Sequence, residues 1–190
     1  PRSTLFPYTT LFRSKIMVAT MNMATSLGAA IQDIDSETQR VAVIRKLIND
    51  IRFEADSSGY FFVYKGTVNV ILPPSPATEG KGLGEAKDVN GLFFVRELQR
   101  VAQAGGGFVE YVFAKPGAGD QPKVAYSTMI PGTDMWIGTG VYIDNIAAAQ
   151  TAVAADLESA AARSLTVAMS FIGGGFVLII LPLTIFLIRS

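Results

Sequence analysis

The spacing of apolar residues predicts a long helix near the start of the chain. From Lys15 to about Glu54 there is no proline, and apolar residues recur at intervals of three and four. This spacing places them on one face of a helix, which we assign to residues 15–57. The sheet that follows can cover the C-terminal half of this helix. The N-terminal half is expected to pair with another helix, in this chain or in a second subunit.

Alternating apolar and polar positions, separated by turn residues, predict five strands after the helix. The predicted strands are residues 60–64, 68–72, 108–113, 123–129 and 135–142. Between the second and third strands we expect a helix with Asn90 as its N-cap. Two hairpins around this central helix predict an α+β fold, in which the long N-terminal helix packs on a five-stranded antiparallel sheet.

The last predicted strand continues without an evident linker towards a membrane-spanning pattern. Asp144 or Asn145 can cap an alanine-rich connecting helix, residues 147–164. Residues 165–188 carry no charge, and their length of about 24 residues suffices to cross a hydrocarbon core of roughly 30 Å. We therefore predict a C-terminal transmembrane helix. Arg189 at its end favours a cytoplasmic C-terminus, because positive residues are enriched on that side.

Residues 1–14 match neither a helical nor a strand period cleanly. They are similar to translated adapter sequence, so we expect a non-native segment that has to be set aside before the fold is considered. On this interpretation a first membrane span can have been lost upstream. A cytoplasmic signalling module is likewise expected to be missing from this chain.

Composition removes several functional classes. The chain has 16 basic and 16 acidic residues, and this zero net charge gives no support for nucleic-acid binding. It has neither histidine nor cysteine, which excludes Ser-His-Asp and Cys-His catalysis as well as thiolate or imidazole metal sites. We expect no enzyme activity, no cofactor and no bound metal. A hydrolase that relies on Asp88, Glu85 or Lys123 is the enzymatic alternative.

Six short segments, taken in order, resemble one known family of sensors. They are Gly59–Tyr64, Glu79–Lys81, Lys87–Gly91, Gly106–Tyr111, Lys123–Tyr126 and Trp136–Asp144. Together they are similar to the single Cache domain of bacterial chemoreceptors and related receptors, expected here over residues 58–146. The resemblance implies a PAS-like sheet with the long helix on one face. It also implies a small-molecule pocket on the other face, beneath the loop and helix between strands two and three. Members of the family commonly bind short carboxylates.

Two positions depart from the family pattern. Lys65 stands where the family turn often carries aspartate, and Leu72 precedes Pro73 where the family often has histidine. The ligand of this chain can therefore differ from the ligands of its relatives.

Lys123 is the leading candidate for contact with a carboxylate, because such a pocket needs one fixed cation and hydroxyl donors. Tyr111 and Tyr126 can supply phenolic donors, although core packing explains them equally well. For Lys123 the alternative is a solvated hairpin lysine. The candidate ligand-binding residues are Tyr60, Phe62, Phe94, Tyr111, Lys123, Tyr126 and Trp136. The sequence leaves open which face of the sheet lines the pocket.

Glycines add two further expectations. The segment Gly80–Gly84 lacks the Gly-Lys-Ser/Thr ending of a phosphate-binding loop, so we expect a mobile lid over the pocket instead. Gly138 and Gly140 share one face of the last strand with Trp136 and Tyr142. They are expected to permit the close approach of another backbone or of a ligand.

These patterns predict a small-molecule sensor that faces out of the cytoplasm, at the plasma (inner) membrane. Short organic acids are the favoured ligands, and the signal is expected to pass through the transmembrane helix, as in a chemoreceptor. From the length of the first helix and its apolar stripe we expect the partner to be a second copy of the chain, which forms a homodimer. The alternatives are a membrane-anchored protein-interaction module, or the sensor region of a histidine kinase or cyclase.

Overall fold

The computed structural model describes residues 6–164 and residue 166, with side chains from residue 10 onward. The chain divides into two compact units, residues 1–147 and 148–190. The described residues of the second unit are helical. The elements of the first unit are α1 (Phe6–Ile31), α2 (Glu37–Ile48), β1 (Phe61–Lys65), β2 (Val68–Ile71), a 3-10 turn (Pro76–Thr78), α3 (Phe94–Gln103), β3 (Gly107–Lys115), β4 (Gly119–Met129) and β5 (Met135–Tyr142). Residues 143–147, which are helical and follow β5, are named the exit turn.

The five strands form one sheet in the order β2-β1-β5-β4-β3, and every neighbouring pair is antiparallel. β5 lies at the centre, between β1 and β4, and all 8 of its residues are buried. Because β5 faces an apolar core on each side, both of its faces can carry apolar residues. Apolar and polar residues therefore alternate only weakly along it. The sheet and the N-terminal helices confirm the predicted α+β fold.

Each face of the sheet carries its own apolar core. On one face, α1 and α2 pack against β1 and β5 through residues such as Leu27, Ile44, Val63 and Ile137. On the other face, α3 and the loops beside it cover a core rich in aromatic side chains. The buried aromatic residues of this second core are Tyr60, Phe62, Tyr64, Phe94, Tyr111 and Trp136.

The prediction of a single helix over residues 15–57 is wrong, because two helices occupy this region. A break at residues 32–36 separates α1 from α2. The break contains two aspartates and Ser36, whose short polar side chains compete with the helix for backbone hydrogen bonds. Ser36 has an extended backbone (φ −74°, ψ 119°), and its carbonyl accepts the N–H of Arg40 at 2.9 Å, which starts α2. Residues 6–14, which showed no clear period, form the beginning of α1.

The hairpin between β3 and β4 has longer strands and a shorter turn than predicted. β3 extends to Lys115 and β4 begins at Gly119. The turn is closed by the N–H of Ala118, which donates to the carbonyl of Lys115 at 3.0 Å. Gly117 and Gly119 take left-handed backbone angles, φ 77° and 71°, which glycine adopts without steric strain. The Pro-Gly-rich stretch that indicated a loop is therefore a tight turn.

The prediction of a mobile lid at Gly80–Gly84 is wrong, because this segment is bound along the edge of the sheet. The N–H of Asn69 in β2 donates to the carbonyl of Lys81 at 3.0 Å, and the carbonyl of Asn69 accepts the N–H of Gly80 at 2.7 Å. Val68 and Gly82 form an isolated antiparallel bridge. The segment thus extends the sheet beyond β2 as an irregular additional strand.

The predicted transmembrane segment, residues 165–188, lies outside the described residues except for Thr166. Within the part of the chain that the structure describes, no helix combines the length and the apolar character that a membrane crossing requires.

Candidate ligand-binding site

Lys123 lies at the point where the side chains of three strands meet. In the strand register it stands opposite Tyr111 of β3 and opposite Tyr142 of β5. Because opposite residues of antiparallel strands share a face, these three side chains lie side by side. The Nζ atom of Lys123 donates a hydrogen bond to the hydroxyl of Tyr60, 2.9 Å away. Lys123 is only 1% exposed, so its amine is a fully buried group.

Aromatic rings surround the amine of Lys123. Its Nζ atom lies 4.1 Å from the ring centroid of Tyr60, 4.8 Å from that of Tyr142, 5.5 Å from that of Phe113 and 5.7 Å from that of Phe62. The negative face of an aromatic ring attracts a cation at such distances. The rings therefore stabilise a positive charge on Lys123 without neutralising it.

No carboxylate forms an ion pair with Lys123 among the described residues. Burial lowers the pKa of Lys123 to about 7, because a desolvated ammonium is disfavoured. Burial also raises the pKa of the Tyr60 and Tyr111 hydroxyls, which therefore stay protonated at neutral pH. An ammonium has three donors, and one of them is used by Tyr60. The site can thus offer an anion a cation and neutral hydroxyl groups.

A cavity of about 280 Å³ lies beside Lys123, where the loop before α3 meets β3, the outer strand of the sheet. Drug-sized ligands occupy cavities of roughly 300–1,000 Å³, so this one suits a smaller molecule. Its lining residues come from the loop before α3, from β3, from β4 and from the exit turn. They are Asp88, Asn90, Leu92, Glu110, Tyr111, Val112, Pro122, Lys123 and Ile143.

Asp88 fixes the loop that borders this cavity. Its Oδ1 atom accepts the N–H groups of Asn90 and Leu92, each at 2.9 Å, and its Oδ2 atom accepts the N–H of Val112 at 3.0 Å. These hydrogen bonds, of which that from Val112 has the largest effect, lower the pKa of Asp88. Asn90 was predicted as the N-cap of α3, but it lies in this turn and α3 begins at Phe94.

Four of the predicted ligand-binding residues, Tyr60, Phe62, Phe94 and Trp136, belong to the aromatic core under α3 and are not among the lining residues of the cavity. The ring of Phe94 stacks on Tyr111, with centroids 5.0 Å apart and an interplanar angle of 2°. Trp136 donates from Nε1 to the carbonyl of Gly66 at 2.8 Å and contacts Phe62 edge to face, with centroids 6.1 Å apart. These rings pack within the core that α3 covers.

Tyr126, also predicted as a ligand contact, lies on the opposite face of the sheet from Lys123. The two residues are three positions apart in β4, and side chains alternate between faces along a strand. The ring of Tyr126 packs against Phe108, with centroids 5.0 Å apart. The structure therefore does not bring Tyr126 to the cavity.

Gly138 and Gly140 permit a close approach to β5, and the atoms that approach belong to the protein itself. A Cβ atom on Gly138 would meet the ring of Phe62 at 2.6 Å. A Cβ atom on Gly140 would meet the backbone carbonyl of Val124 at the same distance. In this structure the two glycines serve the packing of β5 against its neighbours.

The sequence did not single out Leu92, Val112 and Ile143 as ligand contacts, although all three line the cavity. They converge only because the β3–β4 register, the Asp88 turn and the end of β5 meet there. One available signal was the position of Ile143, an apolar residue placed directly after the last residue of β5.

A family model described as Single Cache domain 2 matches residues 16–156 of the chain. The methyl-accepting chemotaxis protein CtpM of Pseudomonas aeruginosa is 28% identical over 156 residues, covering 80% of this chain and 26% of that protein. The sensor histidine kinase MctS of Rhizobium johnstonii is 29% identical over 137 residues, covering 71% of this chain and 29% of that protein. The chain thus spans between a quarter and a third of the length of these two relatives.

Solved structures share the fold. A Cache chemosensory domain, whose structure is described as the basis for carboxylic acid recognition, is 23% identical to this chain. The two superpose with a TM-score of 0.63, over 71% of this chain and 97% of that one.

Proposed function

Because this chain belongs to the single Cache domain 2 family, we propose that it senses short organic acids and passes the signal across a membrane. Single Cache domains are sensor regions of membrane receptors. The observation that carries the ligand class is Lys123, a buried amine beside a cavity and without an ion-pair partner among the described residues. A buried charge is costly unless it is paired, and a ligand carboxylate supplies the missing charge.

The lining of the cavity favours an acid with one carboxylate and a short apolar chain. Lys123 is the one basic residue among the described lining residues, whereas Asp88 is acidic and repels a second carboxylate. Glu110 is already paired with Arg13 of α1. Leu92 and the ring of Tyr111 offer apolar surface to the rest of the ligand. The solved Cache chemosensory domain contributes the fold to this argument, and the ligand class rests on Lys123.

We assign one role to each remaining candidate residue. Lys123 forms the ion pair with the ligand, and the hydroxyls of Tyr60 and Tyr111 are neutral donors beside it. Phe62, Phe94 and Trp136 shape the site from behind, as their packing under α3 suggests.

We propose that the sensor domain lies outside the cytoplasm at the plasma (inner) membrane, with a signalling module on the cytoplasmic side. One relative is a chemotaxis protein and the other a histidine kinase, so both kinds of output are compatible with this domain. Chemoreceptor output is our primary proposal, and a histidine kinase or a cyclase is the alternative.

A homodimer through α1 is part of the proposal. Leu11, Val18 and Met21 are 63%, 50% and 47% exposed, although all three are apolar. Their spacings of seven and three place them on one side of α1, as in a helix that packs on a second helix. A second copy of α1 would remove this stripe from water.

The partners of Asp88 and Glu85 support ligand binding and not catalysis. Both carboxylate oxygens of Asp88 accept backbone N–H groups, and Glu85 forms an ion pair with Arg96. Neither residue is therefore a free base for a hydrolase. A membrane-anchored protein-interaction module is the second alternative, and the cavity beside Lys123 favours a small molecule over it.

Thermal shift and titration calorimetry on the 190-residue chain in detergent test the proposal. The panel contains acetate, propionate, lactate, succinate and an amino acid. A monocarboxylate is expected to bind and to raise Tm, and the dicarboxylate succinate is expected to bind more weakly. Lys123→Met should abolish binding without unfolding the protein, since an apolar side chain of similar length suits a buried position. A wild-type chain that no member of the panel stabilises would refute the proposal.

A further inference from the structure

A polar cluster at the end of β5 lies next to the cavity without lining it. Lys115, the last residue of β3, is only 7% exposed. Its Nζ atom lies 2.7 Å from the carboxylate of Asp56, 2.6 Å from that of Asp144 and 2.7 Å from Oδ1 of Asn145. These four residues are named the Lys115 clasp.

The clasp joins three separate parts of the chain. Asp56 lies in the loop between α2 and β1, Lys115 ends β3, and Asn145 belongs to the exit turn. The Nδ2 atom of Asn145 donates to Oδ1 of Asp56 at 3.2 Å and to the hydroxyl of Ser58 at 2.9 Å. Each of the four residues of the clasp thus has a partner on another element.

Charge holds the clasp together over the neutral pH range. Burial acts to lower the pKa of Lys115, but its hydrogen bonds to Asp144 and Asp56 outweigh burial and raise that pKa. Burial likewise acts to raise the pKa of Asp56, and the hydrogen bonds from Lys115 and Ser58 outweigh it. The net effect lowers the pKa of Asp56, so lysine and carboxylate remain oppositely charged.

The loop that supplies Asp56 has an unusual backbone. Glu54 and Ser57, on either side of Asp56, adopt φ values of 67° and 58°. Residues with side chains rarely occupy this left-handed region, and they remain there only where the surroundings hold them. The hydrogen bonds of the clasp supply such a hold.

Tyr142 and Ile143 connect the clasp with the cavity. The ring centroid of Tyr142 lies 4.8 Å from Nζ of Lys123 and 5.6 Å from Nζ of Lys115. The hydroxyl of Tyr142 donates to the backbone carbonyl of the residue before Lys115 at 2.9 Å. Ile143 lines the cavity, and the next residue, Asp144, belongs to the clasp. Three consecutive residues therefore contact the cavity amine, the cavity and the clasp in turn.

We infer that the Lys115 clasp couples the ligand cavity to the exit turn, residues 143–147, so that a bound acid and a closed clasp hold this turn in the same position. The inference rests on the proposed sensing function and identifies Lys115 as a positioning residue. A ligand packed on Ile143 and a clasp that holds Asp144 act on adjacent residues. Coupling between two sites is reciprocal, so opening the clasp weakens ligand binding by the factor by which the ligand stabilises the clasp.

Lys65 provides a matched control for Lys115. It also bridges two carboxylates, those of Glu37 and Asp134, at 2.8 and 3.1 Å. Lys65 pairs with Met135, the first residue of β5, so it lies at the other end of this strand from the exit turn. Its removal takes away a lysine with two carboxylate partners, in a more exposed position, and none of the three residues lines the cavity.

The test compares wild type, Lys115→Met and Lys65→Met as full chains in detergent, with propionate as the probe. Calorimetry measures the Kd for propionate, and hydrogen exchange measures the protection of residues 143–147 with and without it. Lys115→Met is expected to raise Kd at least about fivefold, the lower end of typical coupling between sites. It should also speed exchange in the exit turn, and propionate should slow that exchange again. Lys65→Met should leave both readings at the wild-type level.

A purely structural role for Lys115 would lower Tm but leave the Kd for propionate unchanged, and that result overturns the inference. Asp144→Asn keeps the size of the side chain and removes its charge, so it replaces Lys115→Met if that variant does not fold. Failure of the inference and of the proposed function can be told apart. A wild-type chain that binds neither propionate nor any other acid of the panel overturns both. If wild type binds propionate and Lys115→Met binds it equally tightly, the inference alone is overturned.

Discussion

Raising the pH above 7 is expected to weaken the binding of a carboxylate to Lys123. Burial lowers the pKa of this amine to about 7, so it is charged in about one molecule in eleven at pH 8 and in about one in a hundred at pH 9. Only the charged amine attracts a carboxylate. Relative to the fully charged amine at low pH, the affinity should therefore fall about tenfold by pH 8 and about a hundredfold by pH 9.

The groups that face Lys123 do not obscure this effect. Burial raises the pKa of Tyr142 to about 12 and also raises the pKa of Tyr60 and Tyr111. All three hydroxyls therefore remain neutral over the pH range in which Lys123 loses its proton. The carboxylate of the ligand stays ionised over the same range, since carboxyl groups titrate near pH 4.

Calorimetry between about pH 6 and about pH 9, in buffers of different ionisation enthalpy, measures both the affinity and the protons taken up. At pH 8 and above, binding should take up close to one proton per ligand, because the ligand binds the protonated amine. The Lys65→Met variant should show the same profile as wild type. An affinity that stays constant from pH 6 to pH 9, without proton uptake, would contradict the role given to Lys123.

Three further outcomes are expected. The free energy of unfolding should rise with pH between about 7 and about 10, by at most about 1.4 kcal/mol per pH unit. The reason is that Lys123 binds a proton in the unfolded chain over this range but not in the folded chain. Denaturant titrations should show this slope for wild type, and the slope should be absent in Lys123→Met. Asp88→Asn loses one of the carboxylate oxygens that accept backbone N–H groups, and urea titration should show a loss of about 1–3 kcal/mol. Gly138→Ala places a Cβ atom 2.6 Å from the ring of Phe62 and should lose about 1–3 kcal/mol, whereas Gly82→Ala, with open space around it, should unfold like wild type.

Local patterns in the sequence predicted the sheet well. The strand over residues 135–142 was predicted with the observed bounds, because turn residues precede it and polar helix-capping residues follow it. The same strand could not reveal the pocket face, because it is buried on both sides. The break at residues 32–36 was missed because apolar spacing continues through it in Ile34, although its aspartates and serine disfavour a helix.

The candidate site could be predicted only in part. Lys123 was identified as a cation near a glycine-rich turn, but burial without an ion-pair partner depends on distant residues that no local pattern connects. Its pairing with Tyr111 follows from the β3–β4 register, which could not be derived while the turn was thought to be longer. Tyr126 was included because a phenol can donate to a ligand, whereas the alternation of β4 turns it to the other face.

The segment that pairs with β2 also bears on how the protein behaves at high concentration. β2 is an outer strand of the sheet, and an outer strand with unpaired N–H and C=O groups invites pairing with other molecules. The backbone of Gly80 and Lys81 occupies those groups of Asn69. A variant in which this segment is shortened would therefore be expected to self-associate edge to edge, even with its cavity intact.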